Sequence, residues 1–266
     1  MRRPRVVTFL VSLVASLGVA TALAVPANAA TGDRYVALGD SYASGVGAGS
    51  YTSESGSCLR STNAYPALWA AAHAPASYVS VACSGATTST VINSQLSALS
   101  GTTTLVSVTI GGNDVGFSNI MTTCVLSGTS ACVAAVQSAE NQAQTTLPGA
   151  LDNVYNGIRA HAPAARVVVL DYPVFYQLGT FCIGLSSTSR AKIDEGINLL
   201  DSIVSAAAAR HAFRFADVRP NFVGHQLCSG DAWLHSLNFL NLTESYHPTA
   251  SGHSGGYLPI FTTVAG

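Results

Sequence analysis

The chain has 266 residues, 48% of them hydrophobic and only 9% charged, with 12 Lys+Arg against 13 Asp+Glu. A net charge of −1 and a single lysine leave no basic face for nucleic acid and no polybasic patch for anionic lipid. The length allows one large domain or at most two small ones.

Residues 1–29 open with three arginines, continue as an apolar run and end on Ala27-Asn28-Ala29. This order of charged, apolar and small residues is that of a secretory signal peptide, with cleavage expected after Ala29. A membrane anchor is the competing reading, but Ser, Gly and Pro break the run and no stop-transfer flank follows. No other segment offers the roughly 20 apolar residues that a span requires. Residues 30–266 read as one domain without repeat or linker. Loss of the three arginines leaves 9 basic against 13 acidic residues, a net charge near −4. The surface is filled instead by Ser, Thr, Ala and Gly, as in secreted, soluble proteins.

Tyr35–Leu38 reads as a buried strand that breaks at Gly39-Asp40-Ser41 into a glycine-rich loop. Further β-rich runs follow at 78–85, 104–114, 166–173 and 213–219. Those at 104–114 and 166–173 are nearly continuous in apolar residues, as strands covered on both faces are. In 149–160, Leu151, Val154 and Ile158 mark one helix face, and Pro148 is placed to start that helix. In 186–211 the stripe is Ile193, Ile197, Leu200, Val204 and Ala207. Strands alternating with helices imply right-handed crossovers and a parallel sheet. Such sheets bind ligands at the carboxyl ends of their strands. Three successive strands release small or polar groups there: Gly39-Asp40-Ser41, Ser84-Gly85 and Gly111-Gly112-Asn113-Asp114.

Six cysteines in an exported chain argue for three disulfides. Spacing leaves fifteen pairings open, and the lack of a CxxC pair speaks against zinc. Of seven histidines, His73, His161 and His211 sit near helix ends, where imidazole meets the last carbonyls. His225 and His235 flank Cys228 as structural residues, and His253 lies in a glycine-rich segment that reads as flexible. His247, fixed by the following Pro248, remains as the candidate base.

Ser41 in "ALGDSYASG", Gly85 in "ACSGATT", Asn113 in "IGGNDVGF" and His247 in "ESYHP" share an order and a spacing. In both they resemble the four sequence blocks of SGNH (GDSL) hydrolases. The likeness covers essentially the whole chain after the signal and is greatest to secreted actinobacterial GDSL lipases and phospholipases A1. It implies a flavodoxin-like three-layer α/β/α sandwich around a parallel sheet of about five strands. It further implies a serine esterase that needs no cofactor and no metal. By the same resemblance Ser41 is the nucleophile and His247 the base. The oxyanion hole is then formed by the backbone N–H groups of Ser41 and Gly85 and the side-chain amide of Asn113.

Many members carry an aspartate three residues before the histidine, where this chain has Glu244. Members closer to it orient the ring with a main-chain carbonyl, matched here by Ser245. A Ser41–His247 dyad steered by Ser245 is therefore expected over a triad with Glu244. Asp40 and Asp114 read as loop-holding residues. The resemblance also implies the pairs Cys58–Cys83, Cys124–Cys132 and Cys182–Cys228, the first anchoring the loop beside Gly85.

Phe117, Ile120, Met121, Phe175, Tyr176, Leu178, Phe181 and Ile183 crowd the segments around the motifs and read as an acyl-binding set. The expected function is extracellular hydrolysis of lipid esters, triacylglycerol or phospholipid. The agent would be a monomer without a lid, without membrane insertion and without a nucleic-acid partner. An acetyl esterase of plant polysaccharide is the alternative, with only Trp69 and Trp233 available as stacking aromatics. A non-catalytic binding module is opposed by the four intact motif residues, and nothing marks a peptidase pocket.

Overall fold

Every β-rich run of the sequence yields a strand. The computed structural model describes Met1 and residues 32–266, and the signal-peptide reading of 1–29 lies outside the described residues. In chain order the elements are β1 (Arg34–Gly39), one-turn α1 (Ser41–Ser44), α2 (Tyr65–His73), β2 (Ser77–Ser80) and the short α3 (Thr88–Thr90). There follow β3 (Leu105–Thr109), α4 (Phe117–Leu126), α5 (Gly128–His161), β4 (Arg166–Leu170), α6 (Ser187–Arg210), β5 (Arg214–Ala216) and α7 (Leu258–Ala265).

The strands form one fully parallel sheet in the order β2-β1-β3-β4-β5. Val36 of β1 pairs with Val79 on one side and Val106 on the other. Apolar residues of β1, β3 and β4 are buried because helices cover both faces: α2 and α7 form one layer, α5 and α6 the other. This is the expected three-layer sandwich. β2 ends at Ser80 and β5 spans three residues, both shorter than the runs that predicted them. Both lie at sheet edges, where one neighbour alone holds the strand.

Two expectations fail. Pro148 does not start a helix but lies within the 34-residue α5. Leu147, Leu151, Val154, Tyr155 and Ile158 form one buried stripe that continues through the proline. Packing of this stripe outweighs the missing N–H. The segment around His253 is also not flexible. It is helical, and His253 is fully buried with its ring Nδ1 accepting the Tyr65 N–H at 3.3 Å. Its glycines serve close packing: a Cβ on Gly255 would fall 2.5 Å from the Trp233 ring, and one on Gly256 would overlap Phe222.

The three disulfides join Cys58 to Cys83, Cys124 to Cys132 and Cys182 to Cys228. Because β1 has β2 on one side and β3 on the other, the chain reverses its direction of winding there. A crevice at the carboxyl ends of β1 and β3 follows from that topology.

Candidate active site

Gly39 ends β1 at φ +128°, so close to the Thr109 carbonyl that a side chain there would collide with it. The Gln95 amide locks this turn, accepting the Gly39 N–H at 2.7 Å and donating to its carbonyl at 2.8 Å. Asp40 then caps α1, accepting the Tyr42 N–H at 2.9 Å and the Tyr172 hydroxyl at 2.5 Å. Burial pushes its pKa up to about 7 against the pull of these donors. Tyr172 also accepts the Gly112 N–H at 3.1 Å, which ties the loop after β1 to the loop after β3. Ser41, the first residue of α1, is delivered at this corner nearly buried.

His247 arrives on a separate segment. The His235 N–H donates to the His247 carbonyl at 2.9 Å, and the Tyr246 N–H to the His235 carbonyl at 2.8 Å. The His235 ring donates through Nε2 to the Gly47 carbonyl at 2.7 Å, and the Tyr42 hydroxyl to the Tyr246 carbonyl at 2.7 Å. Tyr246 holds a left-handed φ of +68°, a conformation that costs a non-glycine residue about 1–3 kcal/mol. This reversal brings the Ser245 carbonyl back to the ring of the next residue but one. His247 Nδ1–H donates to it at 3.1 Å, and Nε2 is left to accept the Ser41 hydroxyl at 2.7 Å. Burial lowers the His247 pKa to about 4, opposed by the Ser245 carbonyl, so the ring is a neutral acceptor at pH 7.

The Glu244 carboxylate is engaged elsewhere. It accepts the Tyr51 hydroxyl at 2.6 Å, and that hydroxyl accepts the Gly47 N–H at 2.8 Å. Glu244 thus braces two loops, while the Nδ1 partner is the Ser245 carbonyl.

Gly85 adopts φ +76° and faces open space where a Cβ would stand. The Cys58–Cys83 bridge and a Ser84 N–H bond to the Cys58 carbonyl at 3.1 Å hold its turn. The Asn113 amide donates one N–H to the Ala86 carbonyl at 2.9 Å. That fixes the amide plane and leaves the second N–H free to serve a ligand. Asp114 accepts the Thr88 N–H at 3.1 Å and the Thr88 hydroxyl at 2.5 Å, joining these two loops. The loop-holding readings of Asp40 and Asp114 agree with these contacts.

Ser41, Gly85, Asn113 and His247 line one groove of about 690 Å³. Its other walls include Met121, Val125, Leu126, Leu237, Phe239 and Leu242. Of the expected acyl set only Met121 lies there. Phe117 and Phe175 line a separate small cavity with Ser41 and Asn113, Phe175 stacking on Tyr246 at 5.8 Å between centroids. Ile120 packs against the core, and Tyr176 is buried. Leu178, Phe181 and Ile183 are exposed, the last two lining a second groove of about 1000 Å³ beside the first. Sequence reasoning missed the bracing residues Tyr42, Tyr51, Gln95 and Tyr172 and most of the groove wall, while His235 is structural as expected. The aperiodic run Leu237-Asn238-Phe239-Leu240-Asn241-Leu242 was the available signal.

His73 and His161 bond carbonyls four residues back, those of Trp69 and Gly157, each at 2.9 Å as expected. His211 instead meets the Asp152 carboxylate at 2.9 Å beside Arg210, a stronger partner than a terminal carbonyl. His225 bonds the Asp231 carbonyl and stacks on Trp233. Among the described residues no group of His, Cys, Asp or Glu is placed to hold a metal ion, and no helix is long and apolar enough to cross a membrane.

The GDSL-like lipase/acylhydrolase family model matches residues 37–254. Lipase 1 of Streptomyces coelicolor is 56% identical over 268 residues, spanning 100% of both chains. The crystal structure of phospholipase A1 from Streptomyces albidoflavus NA297 is similar at TM-score 0.86 and 54% identity, covering 88% of this chain and 99% of that one. The crystal structure of an extracellular lipase from Streptomyces rimosus gives TM-score 0.85 at 54% identity, covering 86% and 98%. These two structures share the five-stranded parallel sheet with helices on both sides.

Proposed function

The chain belongs to the GDSL-like lipase/acylhydrolase family and is a carboxylic ester hydrolase of lipids; from that premise we propose that Ser41 and His247 form its catalytic dyad. The observation that carries this reading is the 2.7 Å contact between Ser41 Oγ and His247 Nε2 on the floor of an apolar groove.

An ester carbonyl enters with its alkyl chain along Met121, Leu237 and Phe239. Nε2 takes the Ser41 proton as Oγ attacks the carbonyl carbon. The oxyanion is met by the N–H groups of Ser41 and Gly85 and the free N–H of Asn113. Burial makes a charged imidazole costly, and the adjacent oxyanion offsets that cost only while the tetrahedral species exists. The Ser245 carbonyl holds the imidazolium in line until it gives the proton to the leaving alkoxide. Water, activated by the same nitrogen, then cleaves the acyl-serine. Glu244 acts as a brace in this scheme, and no metal or cofactor enters any step.

Phospholipid and triacylglycerol both suit the groove. Acetylated polysaccharide does not, because Trp69 is buried in α2 and Trp233 is stacked on His225, leaving neither as an open platform. The residue 30–266 domain is further proposed to be released outside the cell after removal of residues 1–29 and to act as a monomer. A hydrolysis profile over triglycerides, phospholipids and acetylated xylan, with Ser41→Ala as blank, tests the assignment. Lipid esters are expected to be cut and xylan acetates spared. Faster release of acetate from xylan would overturn the lipid reading.

A further inference from the structure

Of the ten large apolar side chains exposed in residues 32–266, six cluster at the grooves: Leu126, Phe181, Ile183, Phe239, Leu240 and Leu242. They are 61–97% exposed, whereas the other large apolar residues of 32–266 are mostly buried. Five line one groove or the other, and Leu240 stands between two of them in sequence. The grooves share Leu237 and Phe239, so one apolar field runs from Ser41 outward.

Segments 117–139, 172–189 and 232–243, which carry all six, contain no Asp, Glu, Lys or Arg. Two disulfides hold the roots of this field. Cys124–Cys132 lies two residues from Leu126, and Cys182, bonded to Cys228, separates Phe181 from Ile183. Covalent anchoring at these points opposes retraction of the apolar tips into the core. An uncharged apolar patch of this kind marks an interaction surface.

We propose that these three segments form a docking rim that seats the mouth of the active-site groove on an electrically neutral lipid surface. The occupant follows from the reading of the chain as a lipid ester hydrolase, on which this inference rests, and from the charge balance of the rim. Anionic lipid would be held by basic residues, and the rim has none. Apolar side chains entering the headgroup boundary bind with little dependence on salt. A second copy of the chain is the rival occupant.

The test measures co-sedimentation of the Ser41→Ala protein with phosphatidylcholine vesicles at low salt and at 1 M NaCl. It compares that protein with the same chain carrying Phe181→Ser, Ile183→Ser and Leu240→Ser. Sedimentation reports association rather than turnover, so the result does not depend on the assignment of the nucleophile. A failure of the catalytic reading would appear separately, as no turnover of soluble p-nitrophenyl butyrate by the Ser41 enzyme. Expected are salt-insensitive vesicle binding and a loss of roughly tenfold or more in partitioning for the triple variant. In the Ser41 background the triple variant should cleave monomeric p-nitrophenyl butyrate within about twofold of the parent, which also reports its folding. Three outcomes would overturn the proposal: equal partitioning of the two proteins, binding confined to anionic vesicles and released by salt, or lipid-free dimerisation abolished by the three substitutions.

Discussion

The carboxyl ends of β1 and β4 both place a buried aspartate at the head of a loop, and only one of them faces a groove. After β4, Asp171 accepts the Val218 N–H at 2.8 Å, and Asp201 from α6 accepts the Tyr172 N–H at 3.1 Å. Arg219 stands 3.5 Å from the first carboxylate and 3.7 Å from the second. Burial pushes Asp171 up to about 9 and Asp201 well above the ordinary carboxylate range. After β1, burial raises Asp40 to about 7, yet that turn delivers a hydroxyl to an imidazole in an open groove. Strongly shifted carboxyl groups thus mark several places in this molecule, Asp194 of α6 being raised by burial to about 7 as well. The largest shifts belong to the closed cluster. What distinguishes the chemical end is its position at the reversal of strand order, where neighbouring loops part.

The largest effect is expected at the open end. His247→Ala should lower turnover by about 10⁵–10⁶, as removal of a catalytic base does, while thermal unfolding stays close to the parent's. Asn113→Ala should cost about 10²–10³ in kcat with KM little changed, the scale of one lost oxyanion donor. A larger rise in KM than fall in kcat would remove Asn113 from that role.

The pH profile sharpens the contrast further. In the proposed dyad His247 works only when neutral, and its pKa is lowered to about 4. The acid limb of kcat/KM should therefore lie near pH 4, whereas an unshifted imidazole would place it near 6.5. At pH 5.5 the difference amounts to about tenfold in rate. Glu244→Ala should cost less than about tenfold, through slackening of the Tyr51 contact. A loss near 10⁴, the scale of a missing triad acid, would replace the dyad with a triad.

Asp171→Asn, at the closed end, should leave turnover within about twofold. The raised pKa means that the folded state keeps a proton the unfolded chain loses above about pH 4. That group's contribution to stability is complete at acid pH and declines as pH rises toward 9. The asparagine still accepts the Val218 N–H but does not titrate, so the fall of Tm between pH 5 and 9 should become shallower. Turnover falling with it would erase the distinction between the two ends.

Three of the four motif residues were legible because each follows a strand: Ser41 after β1, Gly85 after β2, Asn113 after β3. His247 follows none and stood out through Pro248 and the family resemblance. Alternation of apolar runs with helical stripes likewise yielded the parallel sheet. Most failures share one cause, dependence on tertiary packing that no local pattern records. Pro148 stays helical because a buried stripe passes through it, and Gly255 and Gly256 serve Trp233 and Phe222 rather than mobility. Tyr51 meets Glu244 across 193 positions and Tyr42 meets Tyr246 across 204. No local pattern carries such pairings. The groove walls at Leu237–Leu242 escaped because a loop has no period to betray which side faces a ligand.

Serine and imidazole meet across 206 positions, and the ring of Phe261 in α7 stacks on Tyr35 of β1 at 5.6 Å. A chain emerging N-terminus first from a ribosome holds all five strands of the sheet before His247 follows. In the dyad proposed above, Ser41 therefore has no base until the segment beyond residue 246 has joined.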